Sequence, residues 1–143
     1  MDCIFCKIIT GELPATKVYE DNDCLAFLDI YPVNPGHTLL IPKQHYDDLL
    51  STPSEVVGKL YQAAQKVARG VMVGLGADAF NLGLNNGRAA GQVVFQLTYI
   101  LFRVCQLMGW HCGNRMSIRK AKWPRWVKKL ARRYYEQSWT TTY

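Results

Sequence analysis

Short runs of β-prone residues, separated by turn-forming residues, fill the first third of the chain and predict three strands. The runs are Lys17–Glu20, Cys24–Asp29 and His37–Ile41. The Asp21-Asn22-Asp23 segment between the first two runs is a typical turn. Pro32–Gly36 breaks the chain before the third run, which ends at Pro42.

Apolar residues then recur at helical spacing and predict one long helix. They are Val57, Leu60, Tyr61, Ala64, Val67, Ala68 and Val71. Thr52-Pro53-Ser54-Glu55 has the form of a capping box with proline at the first helical position. Gly74 and Gly76 are expected to end the helix.

Two further β-prone runs follow the helix and complete the prediction of an α+β fold. The runs are Phe80–Leu84 and Gln92–Arg103, with a turn at Asn86-Gly87 between them. Strands before and after one long helix favour a mostly antiparallel sheet that is covered on one face. Side chains alternate along a strand, so residues 96, 98 and 100 are expected to project from one face of the last run.

The charge of the chain changes sign after residue 95. Residues 1–95 contain seven Lys and Arg against ten Asp and Glu, a net charge of −3, whereas residues 96–143 contain ten against one, a net charge of +9. All four tryptophans also follow residue 95. Such asymmetry indicates a different partner or a different origin for the last third of the chain.

We therefore predict one domain over residues 1–104 and a basic, tryptophan-rich tail over residues 105–143 that is not a domain. A chain of 143 residues suits one compact core. Ser117–Arg133 could form a basic amphipathic helix, but Pro124 interrupts it.

The cysteines and the start of the chain predict a cytoplasmic protein. Five cysteines, two of them in Cys3-x-x-Cys6, favour a reduced compartment with a metal or redox use over a disulfide framework. The start lacks the basic and apolar regions of a secretory signal. No apolar run approaches the roughly 20 residues of a membrane span.

Four motifs in order along residues 2–95 resemble the histidine-triad (HIT) family in its bacterial form. They are Cys-Ile-Phe-Cys-Lys-Ile-Ile from Cys3, Phe27-Leu28-Asp29-Ile30, Pro35-Gly36-His37-Thr38-Leu39-Leu40-Ile41-Pro42-Lys43, and Asn85-Asn86-Gly87 through Gly91-Gln92. The resemblance implies a HIT-like sheet of about five strands with one long and one short helix. It also implies a homodimer. The basic tail over residues 105–143 replaces the C-terminal elements of the family and puts dimer formation in doubt.

In that family these motifs form a purine-nucleotide pocket. Asp29 would hold the ribose hydroxyls, since a carboxylate accepts hydrogen bonds from a diol, and apolar neighbours would clamp the base. Backbone N–H groups of the later loop would meet the phosphates. The implied binding residues are Phe27, Leu28, Asp29, Ile30, Asn85, Gly91, Gln92 and Val93. The alternatives are a turn cap for Asp29 and an ordinary hairpin turn for the loop.

Cys3, Cys6 and His45 match three of the four ligands of a structural zinc site that many family members have. The fourth ligand there is a histidine at the position of Gln96. Tetrahedral zinc favours four Cys or His ligands, so we expect an incomplete site with weakened or absent zinc binding. A redox Cys-x-x-Cys is the alternative.

The catalytic His-x-His-x-His signature of the family is replaced here by Gln96, Thr98 and Ile100. Members of the family hydrolyse nucleoside phosphoramidates or dinucleoside polyphosphates. Their middle histidine attacks the α-phosphorus and forms a nucleotidyl-histidine intermediate. Losing a covalent nucleophile costs on the order of 10⁴ or more in rate, so we expect this chain to be inactive. His37 matches a supporting histidine, which has a structural role without a triad.

A change of reading frame accounts for the missing histidines. Gln96–Arg103 can be encoded CAA CTC ACA TAC ATA TTA TTC CGA. One pyrimidine restored after the first CA gives His-Thr-His-Ile-His-Ile-Ile-Pro, the family triad with its proline. We hypothesise that a frameshift at codon 96 made residues 96–143 an unselected translation.

Three functional interpretations follow. The first, which we favour, is a frame-disrupted nucleotide hydrolase or transferase, and the second is a pseudoenzyme that still binds purine nucleotides. The third is a nucleic-acid or anionic-membrane module in the tail, because basic and aromatic residues alternate there. Its residues are Arg119, Lys120, Lys122, Arg125, Lys128, Lys129, Arg132 and Arg133, with Trp123, Trp126 and Tyr134. Runs of charged residues are more often a solvent-exposed surface than a binding module.

Overall fold

The computed structural model describes residues 3–104, which contain two α-helices, five strands and one short 3-10 helix. In chain order the α-helices and strands are α1 (Ile4–Thr10), β1 (Lys17–Glu20), β2 (Cys24–Leu28), β3 (Thr38–Pro42), α2 (Ser54–Leu75), β4 (Ala79–Leu84) and β5 (Tyr99–Val104), and the 3-10 helix is Arg88–Ala90 in the loop between β4 and β5. The strands form one sheet in the order β1-β2-β3-β5-β4, and every neighbouring pair is antiparallel. The predicted α+β fold with one long and one short helix is confirmed.

Alternation along the central strands divides the core between the two faces of the sheet. On one face, Ala26, Leu40 and Tyr99 belong to a buried cluster that includes the apolar side of α2. On the other face, Phe27 and Leu39 cluster with residues of α1. The expectation of one covered face was therefore wrong, because the short helix α1 covers part of the second face.

The long helix α2 buries the side chains that helical spacing brings to one face. These are Leu60, Ala63, Ala64, Val67 and Ala68. The helix ends at Gly76, which has a φ of +57°, a conformation that costs glycine little because it has no Cβ. Gly74 lies inside the helix and does not end it.

The predicted capping box does not form. The helix begins at Ser54 with Pro53 as its N-cap, and no side chain caps its first turn. The Thr52 hydroxyl instead donates to the Asp48 carbonyl oxygen at 2.6 Å. Thr52 is therefore fixed to the preceding turn and is not available to the helix.

The strand predicted over Gln92–Arg103 is only half formed. Strand β5 begins at Tyr99, which pairs with Leu84, the last residue of β4, so the sheet offers no partner for earlier residues on that side. The Leu97 N–H donates at 2.6 Å to the carbonyl oxygen of Tyr46, in the loop after β3. Residues 96 and 98 thus precede the strand, and the expectation that they share one strand face with Ile100 was wrong.

No helix within residues 3–104 is long and apolar enough to cross a membrane. The predicted Ser117–Arg133 helix, the basic binding module and the tail over residues 105–143 lie outside the described residues. The domain boundary at residue 104 and the homodimer stay predictions.

Candidate functional site

Asp29 and His37 meet where β2 and β3 diverge. The Asp29 N–H donates to the His37 carbonyl oxygen at 3.0 Å and continues the ladder between the two strands. Their side chains also approach, with 3.2 Å between Asp29 Oδ2 and His37 Nδ1. Asp29 Oδ1 accepts the Tyr31 N–H at 2.9 Å, which is the turn-cap role we considered for it. The Asp29 side chain remains 20% exposed, so its oxygens can still accept further hydrogen bonds.

His37 is buried, and its two ring nitrogens have different surroundings. Its ring centroid lies 4.4 Å from that of Phe102, and Nδ1 accepts the Val33 N–H at 3.2 Å. Nε2 has no hydrogen-bond partner among residues 3–104. Burial lowers the pKa of His37, and the neighbouring Asp29 carboxylate opposes this. The Val33 N–H therefore meets a neutral imidazole, whose proton we assign to Nε2.

The loop between β4 and β5 is organised around the side-chain amide of Gln92. Oε1 accepts the Gly87 N–H at 2.7 Å, and Nε2 donates to the carbonyl oxygens of Asp47 at 2.6 Å and Val94 at 3.2 Å. Gly87 and Gly91 have φ values of +80° and +86°, which favour glycine. Gln92 is buried and shapes the loop, whereas we predicted that it contacts the nucleotide.

The apolar residues predicted to clamp a base differ in exposure. Phe27 is buried in the core, where its ring lies 5.4 Å from that of Phe5, and Leu28 is half-buried. Ile30 and Val93 are 60% and 89% exposed and are open to a ligand. Asn85, also predicted to bind, is half-buried at the start of the Gln92 loop.

The three positions of the family's triad carry no histidine. Gln96 is fully buried, with Nε2 at 3.2 Å from the Pro42 carbonyl oxygen and 3.4 Å from that of Gln44. The Thr98 hydroxyl donates to the Gln96 carbonyl oxygen at 2.8 Å, so its proton is already engaged. Ile100 is an alkyl side chain in β5 that packs toward Phe27 and its neighbours. None of the three positions therefore supplies an imidazole.

Cys3, Cys6 and His45 come together as predicted, with their ligand atoms within 4.8 Å of one another. Cys6 Sγ lies 3.3 Å from His45 Nδ1. Two thiols and an imidazole are donors that zinc prefers, so this thiol–imidazole cluster could hold a metal ion. Burial, followed by the hydrogen bond to Cys3, raises the pKa of Cys6.

Asp47 completes the surroundings of the thiol–imidazole cluster and was not predicted from the sequence. Its Oδ1 lies 3.0 Å from His45 Nε2, the ring nitrogen that faces away from Cys6. A carboxylate in this position fixes the ring and makes the other nitrogen a better ligand. The spacing of two residues from His45 was the available signal.

Comparison with known proteins places these features in one family. The HIT domain model matches residues 10–98. The chain is 49% identical to adenylylsulfatase HINT3 of Arabidopsis thaliana over 94 residues, which are 66% of this chain and about half, 48%, of that protein.

Solved structures give the same result. The crystal structure of a Zn-bound histidine triad family protein from Mycobacterium smegmatis is similar with a TM-score of 0.72 and 37% identity, over 96% of this chain and 95% of that one. A hypothetical histidine triad nucleotide-binding protein from Sulfolobus tokodaii is similar with a TM-score of 0.73 and 34% identity, over 94% and 92% of the two chains.

Proposed function

The chain belongs to the HIT family, and on that premise we propose that it binds purine nucleotides and has lost the catalytic chemistry of the family. Asp29 accepts the ribose hydroxyls, Ile30 and Val93 contact the base, and the loop from Asn85 to Gly91 faces the phosphates. The observation that carries this proposal is the Asp29 carboxylate. The Tyr31 N–H and the His37 ring fix it at the end of β2, and it remains partly exposed.

Catalysis is impaired because an imidazole is missing at each position where the family mechanism needs one. Gln96 and Thr98 make hydrogen bonds to the backbone, and Ile100 is apolar. His37 cannot replace them, since its Nδ1 is engaged by Val33 and its ring is buried beside Phe102. Nucleotide binding therefore leads to no nucleotidyl-histidine intermediate.

The origin of this loss is a shift of reading frame, which also explains the composition of the tail. In the restored frame, the first two bases of each tryptophan codon TGG become the last two bases of a new codon. The first base of that codon is the base that precedes TGG. Such codons encode only Leu, Met or Val. The four tryptophans after residue 95 would thus all become aliphatic residues or methionine.

Metal binding at the thiol–imidazole cluster is weaker than at a site with four Cys or His ligands. Only three such donors come together among residues 3–104, and position 96 contributes a glutamine. Zinc prefers nitrogen and sulfur donors, and each one lost lowers its affinity.

Calorimetric titration of AMP into the full chain tests nucleotide binding. We expect saturable binding, weakened about 10- to 100-fold by Asp29→Asn, since a hydrogen bond to a charged group contributes about 1.5–3 kcal/mol. The asparagine can still accept the Tyr31 N–H. Glu12→Gln is the matched control, because Glu12 is exposed and its side chain accepts a hydrogen bond from the Thr10 hydroxyl. No heat with AMP, or equal affinity of the Asp29 variant, would contradict the proposal.

A further inference from the structure

Asn86 and Gly87 form a dipeptide with a reactivity of its own in the loop between β4 and β5. It is the one Asn-Gly sequence in the chain. The backbone nitrogen that follows an asparagine can attack the side-chain amide, and glycine hinders this attack least because it has no Cβ. Asn86 is exposed, so water and a base from the solvent can reach its amide.

Hydrogen bonds hold both of the groups that would react. Asn86 Oδ1 accepts the Leu49 N–H at 2.9 Å. The Gly87 N–H donates to Gln92 Oε1 at 2.7 Å. The Gly87 nitrogen must lose its proton and come within bonding distance of Asn86 Cγ before it can attack. The hydrogen bond to Gln92 must therefore break first, and the hydrogen bond from Leu49 restrains the Asn86 side chain.

The side-chain amide of Gln92 is held in this orientation by two further contacts. Gln92 is 8% exposed, and its Nε2 donates to the carbonyl oxygens of Asp47 at 2.6 Å and Val94 at 3.2 Å. Turning the amide over would place its NH₂ group against the Gly87 N–H and its oxygen against two acceptors. Oε1 therefore stays on Gly87, and the loop must open before the Gly87 nitrogen is released.

We propose that Asn86 is a site of spontaneous covalent modification and that the Gln92 amide controls its rate. When the loop opens, the Gly87 nitrogen gives its proton to a base from the solvent and forms a bond to Asn86 Cγ. The bond between Cγ and Nδ2 breaks, ammonia leaves with a proton, and a cyclic imide remains. Water then adds to either carbonyl group of the imide and opens the ring, which leaves aspartate or isoaspartate at residue 86.

Both products change the charge of the loop between β4 and β5. Each places a carboxylate beside Gly87, and isoaspartate also adds a methylene group to the main chain. The consequence for binding rests on the proposed function, in which this loop faces the phosphates. A negative charge there repels a phosphate, so the modification lowers nucleotide affinity irreversibly.

Incubation of the full chain at mildly alkaline pH, with and without urea, tests the modification. Peptide mass spectrometry measures the mass gain on exchange of NH₂ for OH, and labelling by an isoaspartyl methyltransferase measures isoaspartate. We expect Asn86 to be modified before every other asparagine, and faster in urea, where the loop is open. Without urea, Gln92→Leu should raise the rate about 2- to 10-fold, which corresponds to the loss of one hydrogen bond.

Gln62→Leu is the matched control, since Gln62 is exposed on α2 and lies outside the loop. It should keep the rate of the original chain. Asn86→Ser should show no mass gain at residue 86, because serine has no amide.

AMP titration of the modified chain measures the effect on affinity separately. We expect weaker binding than in the original chain, and equal affinity would contradict the effect of charge. Absence of AMP binding by the original chain would contradict the proposed function and leave the mass measurements unaffected.

Three results would overturn the modification proposal: earlier modification of another asparagine, equal rates with and without urea, or equal rates in Gln92→Leu and Gln62→Leu. If Gln92→Leu does not fold, the rates of the original chain with and without urea decide the question. No nucleotide enters the mass measurements, so their failure leaves the nucleotide proposal intact.

Discussion

At the residue scale, His37 links the stability of the site to pH. Its Nδ1 lies between the Val33 N–H, which needs a neutral acceptor, and the Asp29 carboxylate, which favours a protonated ring. Burial prevails and lowers the pKa of His37. The folded protein therefore binds a proton at this ring less readily than the unfolded chain does.

This difference predicts that acidification destabilises the fold through His37. The unfolded histidine is protonated below about pH 6.5 and the folded one only at lower pH, so the free energy of unfolding falls as pH drops through that window. Urea denaturation at about pH 7.5 and 5.5 should show a smaller loss for His37→Asn, whose side-chain oxygen can accept the Val33 N–H. Equal losses in the two proteins would contradict this role.

The positions of single residues were predictable where a sequence motif specifies their chemical role. The proximity of Cys3, Cys6 and His45 is confirmed. Asp47 and the loop-shaping role of Gln92 were missed, because both depend on contacts that residue type and spacing do not specify. The sequence alone does not distinguish a glutamine that is buried in the fold from one that is exposed.

At the element scale, Gly36 joins the site to the end of α2. It has a φ of +88°, and a Cβ at this position would overlap Leu75 Cδ1. Gly11, with a φ of +82° after α1, would meet nothing within 4 Å. The two glycines share their backbone conformation and differ in their surroundings.

Alanine at these two positions should therefore separate backbone strain from crowding. Gly11→Ala should lower the free energy of unfolding by about 1–2 kcal/mol, the cost of a left-handed residue with a Cβ. Gly36→Ala should cost more, because Leu75 or the residue 36 backbone must also move. Urea denaturation of both variants gives the comparison, and equal costs would show that α2 yields without penalty.

Elements were predicted well where the local pattern of residue types determines them. Lys17–Glu20 forms a strand with the predicted bounds. Helix α2 buries Leu60, Ala64, Val67 and Ala68 of its predicted face, but Tyr61, also predicted there, is 54% exposed. The Gln92–Arg103 prediction was wrong in its first half. β propensity does not reveal that β4 ends opposite Tyr99, nor that Leu97 pairs with Tyr46 instead.

At the scale of the whole molecule, the reading-frame hypothesis makes a prediction about codons. The second and third histidines of the restored frame require Leu97 to be encoded CTC and Tyr99 to be encoded TAC. The last base of each of these two codons becomes the first base of a histidine codon, and that base must be C. Sequencing the gene, together with the messenger RNA, checks both. A different codon at either position contradicts the hypothesis.

We propose that the nucleotide-binding half of the site persists although the catalytic histidines are missing. The most direct test is one calorimetric titration of adenosine 5′-phosphoramidate into the full chain, followed by analysis of the recovered nucleotide. We predict a saturable binding heat and unchanged phosphoramidate. Release of AMP would show that catalysis survives without the three histidines, and the absence of any binding heat would show that the nucleotide site is lost as well.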